Sequence, residues 1–171
     1  MSESVLVENL VARLSGDFDL CLEVLGTHPI DGVAVRIDLM ARAKSHLVEA
    51  GFTEHWFGIE CKWASDIVGM TSKMTRVVWQ SITYAQSEFE VRSEKVRPCF
   101  VAVHTPDDMH PTIEEHLNRL LSLGLYGNVG RIYFYRDGAW GIKFASIYAR
   151  AFHSGYHINQ QQLPRRRVGS V

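Results

Sequence analysis

The sequence is poor in the features that place a chain in a class at a glance. Cysteine is scarce: Cys21, Cys61 and Cys99 are odd in number, widely spaced and form no CxxC pair. That leaves no disulfide framework and no zinc ribbon, and a reducing, cytoplasmic compartment is the expectation. No apolar run approaches the roughly 20 residues that cross a bilayer, so no membrane partner is expected. The opening stretch MSESVLVENL has no basic region followed by an apolar block, and no signal peptide is expected. Charge of one sign is missing as well: the net charge is −1 and the isoelectric point about 6.7. A generally basic nucleic-acid binder is thereby excluded, although a local basic patch is not. Internal repeats and low-complexity blocks are absent.

What is present is an ordinary globular composition, 171 residues with 46% hydrophobic and 22% charged. That is enough for one domain with its own core. We expect one domain over residues 1–155 and a polar, basic tail over 156–171, where Arg165, Arg166 and Arg167 cluster. The cluster reads either as a solvated tail or as an arm on phosphate.

The hydrophobic periods predict an order of elements. Residues 3–14 carry Leu6, Leu10, Val11 and Leu14 at helical spacing. Residues 18–25 and 33–40 read as strands separated by THPIDG, and a third strand lies near 54–64. Residues 71–89 contain no Gly or Pro and read as a helix, and 97–105 as a strand buried on both faces. Thr112 and Glu115 suggest a capping box for a helix ending at Gly124. Asp137-Gly138 joins a last hairpin of 131–135 and 141–149. The order is α-β-β-β-α-β-α-β-β, an α/β (α+β) chain with a mixed central sheet flanked by helices.

The chemistry concentrates between Arg36 and Lys62. A hairpin turning near Glu49, with Gly51 in the turn, pairs positions whose numbers sum to about 98, which sets Asp38 opposite Glu60. Glu60 and Lys62, two apart on one strand, share a face. Two carboxylates side by side raise each other's pKa unless a positive charge sits between them. A hard divalent cation, Mg²⁺ or Mn²⁺, suits oxygen ligands of this kind. On its own the trio also reads as a cross-strand ion pair on a solvated face.

The pattern resembles the PD-(D/E)XK nuclease superfamily, with its restriction-endonuclease-like core. There an Asp on one strand is followed on the next by Glu-x-Lys between apolar residues, as Asp38 in VRIDLM is followed by Glu60-Cys61-Lys62 in FGIECKW. Ile37 stands where the family motif has Pro. Glu8 in the first helix resembles the family's helical Glu, and Gln80 with Tyr84 in VWQSITY resembles its Gln and aromatic. The resemblance spans residues 3–104. It implies Mg²⁺-dependent hydrolysis of phosphodiesters in DNA, in repair, recombination or phage DNA metabolism. The metal would be held by Asp38, Glu60 and the Cys61 carbonyl, with Glu8 reaching it directly or through water. Lys62 would handle the attacking water or the phosphorane charge, and Gln80 would orient these groups. A homodimer is expected by analogy with the superfamily's junction-resolving members.

Rival readings stay open. Glu23, mid-strand in LCLEVL, competes with Glu8 as the additional acid, or pairs with Arg36. Lys73, Arg76, Gln80 and Ser87 share a helix face that tracks phosphate or is merely solvated, and Tyr84 is either a nucleic-acid contact or core. The histidines show no ligand spacing. The alternative functions are a non-catalytic nucleic-acid- or protein-binding module and an RNA endonuclease.

Overall fold

The computed structural model describes residues 2–64, 68–122, 128–136 and 138–144, and the backbone of 151–153. Arg165, Arg166, Arg167, Gly124, Asp137 and the stretch 145–149 of the expected last strand lie outside the described residues. Helix α1 (Glu3–Leu14) forms where the leucine period predicts it. Its buried stripe is Leu6, Leu10 and Leu14, each worth roughly 1.5–3 kcal/mol when removed from water. The helix lies on one face of a sheet that begins with the antiparallel strands β1 (Phe18–Thr27) and β2 (Ala34–Ala43). Gly32, at φ +70°, closes the turn between them.

β2 leads into a five-residue helix, α2 (Ser45–Glu49), and then into β3 (Phe57–Cys61), buried at every position. The expected tight hairpin near Glu49 is therefore a helical connection with Gly51 at φ +95° beyond it. One and a third turns are too short to show a period. The strand register nevertheless survives: Leu39 faces Ile59, Met40 faces Gly58 and Ala41 faces Phe57.

Helix α3 (Met70–Gln86) crosses back over the sheet and buries Met74, Val77, Ser81 and Ala85. The expectation of helix to residue 89 fails at its end. Ser87 turns extended, and β4 (Glu88–Val91) and β5 (Glu94–Val96) form a hairpin. The tetrapeptide EFEV alternates exposed and buried residues, and its turn uses Arg92 and Ser93 at φ +50° and +69°. A turn of that shape ordinarily announces itself with Asn-Gly. The next strand, β6 (Val101–His104), is fully buried, parallel to β3 on one side and to β7 (Val129–Phe134) on the other. Between β6 and β7 runs α4 (Pro111–Ser122). The expected capping box does not form. Pro111, which has no N–H to satisfy, opens the helix, the Thr112 N–H donates to Nδ1 of His110, and Glu115 pairs with Arg119. β8 (Trp140–Phe144) and β9 (Ala151–His153) complete the sheet antiparallel.

Among the described residues this is a mixed α/β fold with a nine-stranded sheet ordered β5-β4-β1-β2-β3-β6-β7-β8-β9. The observed order, α-β-β-α-β-α-β-β-β-α-β-β-β, replaces the expected one. No helix among the described residues is long and apolar enough to cross a membrane. Aromatic rings anchor the α1 side: Phe57 stacks on Phe100 at 4.6 Å, Phe18 sits 4.9 Å from Trp140, and the buried indole donates to Asp17 at 2.6 Å. The opposite face is divided between the core under α3 and α4 and a cluster of Val24, Ile37, Met40, Trp56, Tyr84 and Phe89.

Candidate active site

The β2–β3 ladder ends at Leu39 and Ile59, and one step further Asp38 and Glu60 stand where the strands part. The divergence is marked by a hydrogen bond that a regular ladder would not need: the Cys61 N–H donates to Oδ2 of Asp38 at 2.8 Å. On the other side of β2, Glu23 stands between the Leu22–Leu39 and Val24–Ile37 pairs with φ +51°. That conformation is uncommon for a residue with a side chain. Ile37 is completely buried, and its Cδ1 occupies the space a side chain on Gly58 would take. Asp38 is thus fixed from both sides, with its carboxylate aimed at the end of β3.

Glu60 is 5% exposed. The Asp38 backbone amide is within hydrogen-bonding reach of its carboxylate, while its Oε2 is buried and has no hydrogen-bond partner. Burial, followed by the Asp38 charge, pushes the Glu60 pKa up to about 8. Burial also raises Asp38, against the lowering influence of the Cys61 amide. The remaining groups line the opening. Tyr84 is 8% exposed, its ring packed edge-on to Phe89 at 6.0 Å. Its hydroxyl is hydrogen-bonded to Gln80 and lies within the field of both carboxylates; burial lifts its pKa to about 12. Gln80 keeps a buried Oε1 without a partner.

Lys62 follows β3 directly, held by its N–H to the His104 carbonyl at 2.8 Å. Its ammonium does not lie free between the acids. It bonds Glu3 at 3.1 Å, and Glu3 also accepts the Trp63 N–H at 3.1 Å. α1 therefore contributes Glu3, which the sequence reading missed, and not Glu8, which is exposed. Five residues separate the two, about 140° around a helix. Glu23 is exposed and pairs with Arg36 at 2.7 Å, though it still raises Asp38 by its charge.

On α3, Lys73 and Arg76 are exposed on the side leading to Gln80. Ser87 is not part of that face: it is fully buried and donates to the Thr83 carbonyl. Tyr84 belongs to the core through its ring and meets the site through its hydroxyl, so it offers no exposed ring to a base. Cys61 is buried on the opposite side from Glu60, and burial raises its thiol far above the usual range. A thiolate nucleophile is excluded there.

No set of three or more His, Cys, Asp or Glu side chains among the described residues converges as a ready-made metal cage. Two close carboxylates and a partnerless buried oxygen do fit a cation that takes one or two carboxylates and fills its shell with water, the habit of Mg²⁺. Comparison with family models, curated proteins and solved structures finds no match to this chain.

Proposed function

We propose that the chain is a divalent-metal-dependent nuclease of PD-(D/E)XK character acting on DNA, with Asp38 and Glu60 as its metal-binding carboxylates. The observation that carries this reading is Glu60 Oε2, buried, unpartnered and beside a second carboxylate. A fold that buries two carboxylates side by side, with the nearby Lys62 ammonium bonded to Glu3, is spending stability on something, and functional sites are where such perturbed groups gather. Mg²⁺ or Mn²⁺ held there would polarise a phosphodiester and lower the pKa of a bound water. The protein's own part is positional. Asp38 is oriented by the Cys61 amide, Gln80 by Tyr84, and Lys62 by Glu3. Lys73 and Arg76 offer charge to a backbone approaching along α3. Support also comes from the arrangement of the resemblance's span, with α1, the β1-β2-β3 meander, a crossover helix and the parallel β6. A homodimer would match a two-fold symmetric substrate.

One observation favours the alternative of a non-catalytic binding module: the Lys62–Glu3 pair gives the lysine a structural occupation.

The test is cleavage of linear, nicked, branched and single-stranded DNA, with RNA in parallel, in Mg²⁺ and Mn²⁺. Wild type should cut DNA, and Asp38→Asn and Glu60→Gln should each abolish cutting while retaining the fold by circular dichroism. Preferential RNA cleavage would move the substrate to RNA. If neither metal supports cleavage of any substrate that the chain binds, the enzyme reading is wrong.

A further inference from the structure

On the α3 and α4 side of the sheet, beyond β6 from Glu60, a second concavity of about 410 Å³ opens between α4 and the β7–β8 ladder. Its floor holds an arrangement that ordinary sheet packing avoids. Arg131 and Lys143 are directly opposed on antiparallel strands, and like charges so placed repel. Arg131 is nearly enclosed, its side chain 12% exposed, and its guanidinium is already engaged. Nη1 donates to Glu114 at 2.6 Å and Nη2 to the Thr105 hydroxyl at 3.3 Å. Asp107, at the rim, is likewise engaged, by Arg13 at 2.7 Å. Both wall carboxylates are therefore spent, while Lys143 has no ion-pair partner among the described residues. The uncompensated charge of the cavity is positive.

The rest of the lining suits an organic anion better than a bare ion. Asn118 and Ser122, from one face of α4, bring polar groups, and Leu121 and Tyr133 supply apolar surface. An inorganic phosphate would leave most of the volume empty, whereas about 410 Å³ lies in the ordinary range for small-ligand sites.

We propose that this cavity binds a phosphomonoester of nucleotide size, its phosphate between Lys143 and the guanidinium of Arg131, whose Nε is buried and has no hydrogen-bond partner. The ligand is either a free mononucleotide or the phosphorylated end of a polynucleotide. The inference stands on this cavity alone and does not require nuclease activity.

The experiment is calorimetric titration of the full chain in EDTA, which removes divalent cations from the Asp38–Glu60 site. The ligands are adenosine 5′-monophosphate, adenosine, and one short oligonucleotide with and without a 5′-phosphate. A phosphorylated ligand should bind at least about tenfold tighter than its unphosphorylated counterpart. Lys143→Gln, an exposed change, should remove most of that difference, and Asp38→Asn should leave it intact. Preference confined to the mononucleotide identifies a free nucleotide; preference confined to the oligonucleotide identifies a polynucleotide end. Equal binding with and without phosphate, no binding of either phosphorylated ligand, or an undiminished preference in Lys143→Gln overturns the proposal. Arg131→Gln adds a check only where its melting curve remains cooperative, since that residue also holds Glu114.

Discussion

Lys62 leaves the end of β3 and reaches Glu3, 3.1 Å away, instead of standing midway between Asp38 and Glu60. As an ion-pair partner it would be replaceable by Arg, because a half-exposed pair of this kind contributes about 0–1 kcal/mol. As a group that handles an attacking water it would not be, since a guanidinium is planar, bulkier and effectively never deprotonated. Under the nuclease reading we expect Lys62→Arg and Lys62→Ala both to lose at least about two orders of magnitude in cleavage rate. DNA binding measured in Ca²⁺ should change far less. Cleavage by Lys62→Arg at the wild-type rate would leave the lysine a purely structural role. At this scale the sequence was readable where a side chain's face follows from a period of two: the placement of Asp38 and Glu60 needed only their strands and a register, whereas Lys62 lies beyond β3 and its ammonium turns to Glu3. Glu3 was not readable. An acid in the first turn of a helix is already explained by the helix dipole, so nothing in its position distinguishes it.

The elements that carry the site were legible because their periods are long enough to count. α1 and α3 each bury a regular stripe, β6 is buried throughout, and the β2–β3 register follows from a connection centred near Glu49 even though that connection is helical. The pieces missed are short or carry unusual turns: α2 has five residues, and the β4–β5 hairpin turns through Arg92 and Ser93 without a glycine. That hairpin matters to the site because β4 lies against the far end of β1, where Gly26 faces Phe89. A Cβ at Gly26 would stand 2.5 Å from the Glu88 carbonyl oxygen and 2.6 Å from the Phe89 ring. The first of these is backbone held by the strand pairing and has little room to yield. Gly26→Ala should therefore destabilise the protein by about 1–3 kcal/mol, the usual cost of overpacking. Urea denaturation followed by tryptophan fluorescence measures it. A shift under about 0.5 kcal/mol would mean that β4 is free to move away from β1, and that the edge of the sheet beside the site is looser than its packing implies.

For the whole molecule, the buried carboxylates make stability depend on pH and on cations together. The folded state holds Glu60 near pKa 8 against an ordinary 4.5, so it retains a proton that the unfolded chain releases. The stability tied to that proton is complete below about pH 4.5 and is lost as pH rises through 8, with Asp38 adding in the same direction. His104 works oppositely. Burial lowers its pKa to about 4 from 6.5, so its share is present above 6.5 and lost as pH falls towards 4. Between about pH 6.5 and 8.5 the His104 contribution is complete while that of the carboxylates is still being lost. In EDTA, wild type should lose stability across that window relative to Glu60→Gln, which carries no such proton. The difference should widen with pH and level off above 8, amounting to at most several kcal/mol. Mg²⁺ or Mn²⁺ should reverse the loss, because a cation and a proton compete for the same oxygens. At about ten times the dissociation constant the gain is roughly 1.4 kcal/mol, or about 3–5 °C in Tm for a chain of this size. The gain should be larger at pH 8.5 than at 6.5 and absent in both Asp38→Asn and Glu60→Gln. Differential scanning calorimetry of the three proteins at the two pH values decides it. An equal gain in the variants would place the cation elsewhere, and a flat EDTA profile in wild type would mean that Glu60 is ionised at neutral pH after all. Either result would remove the observation on which the metal-dependent reading rests.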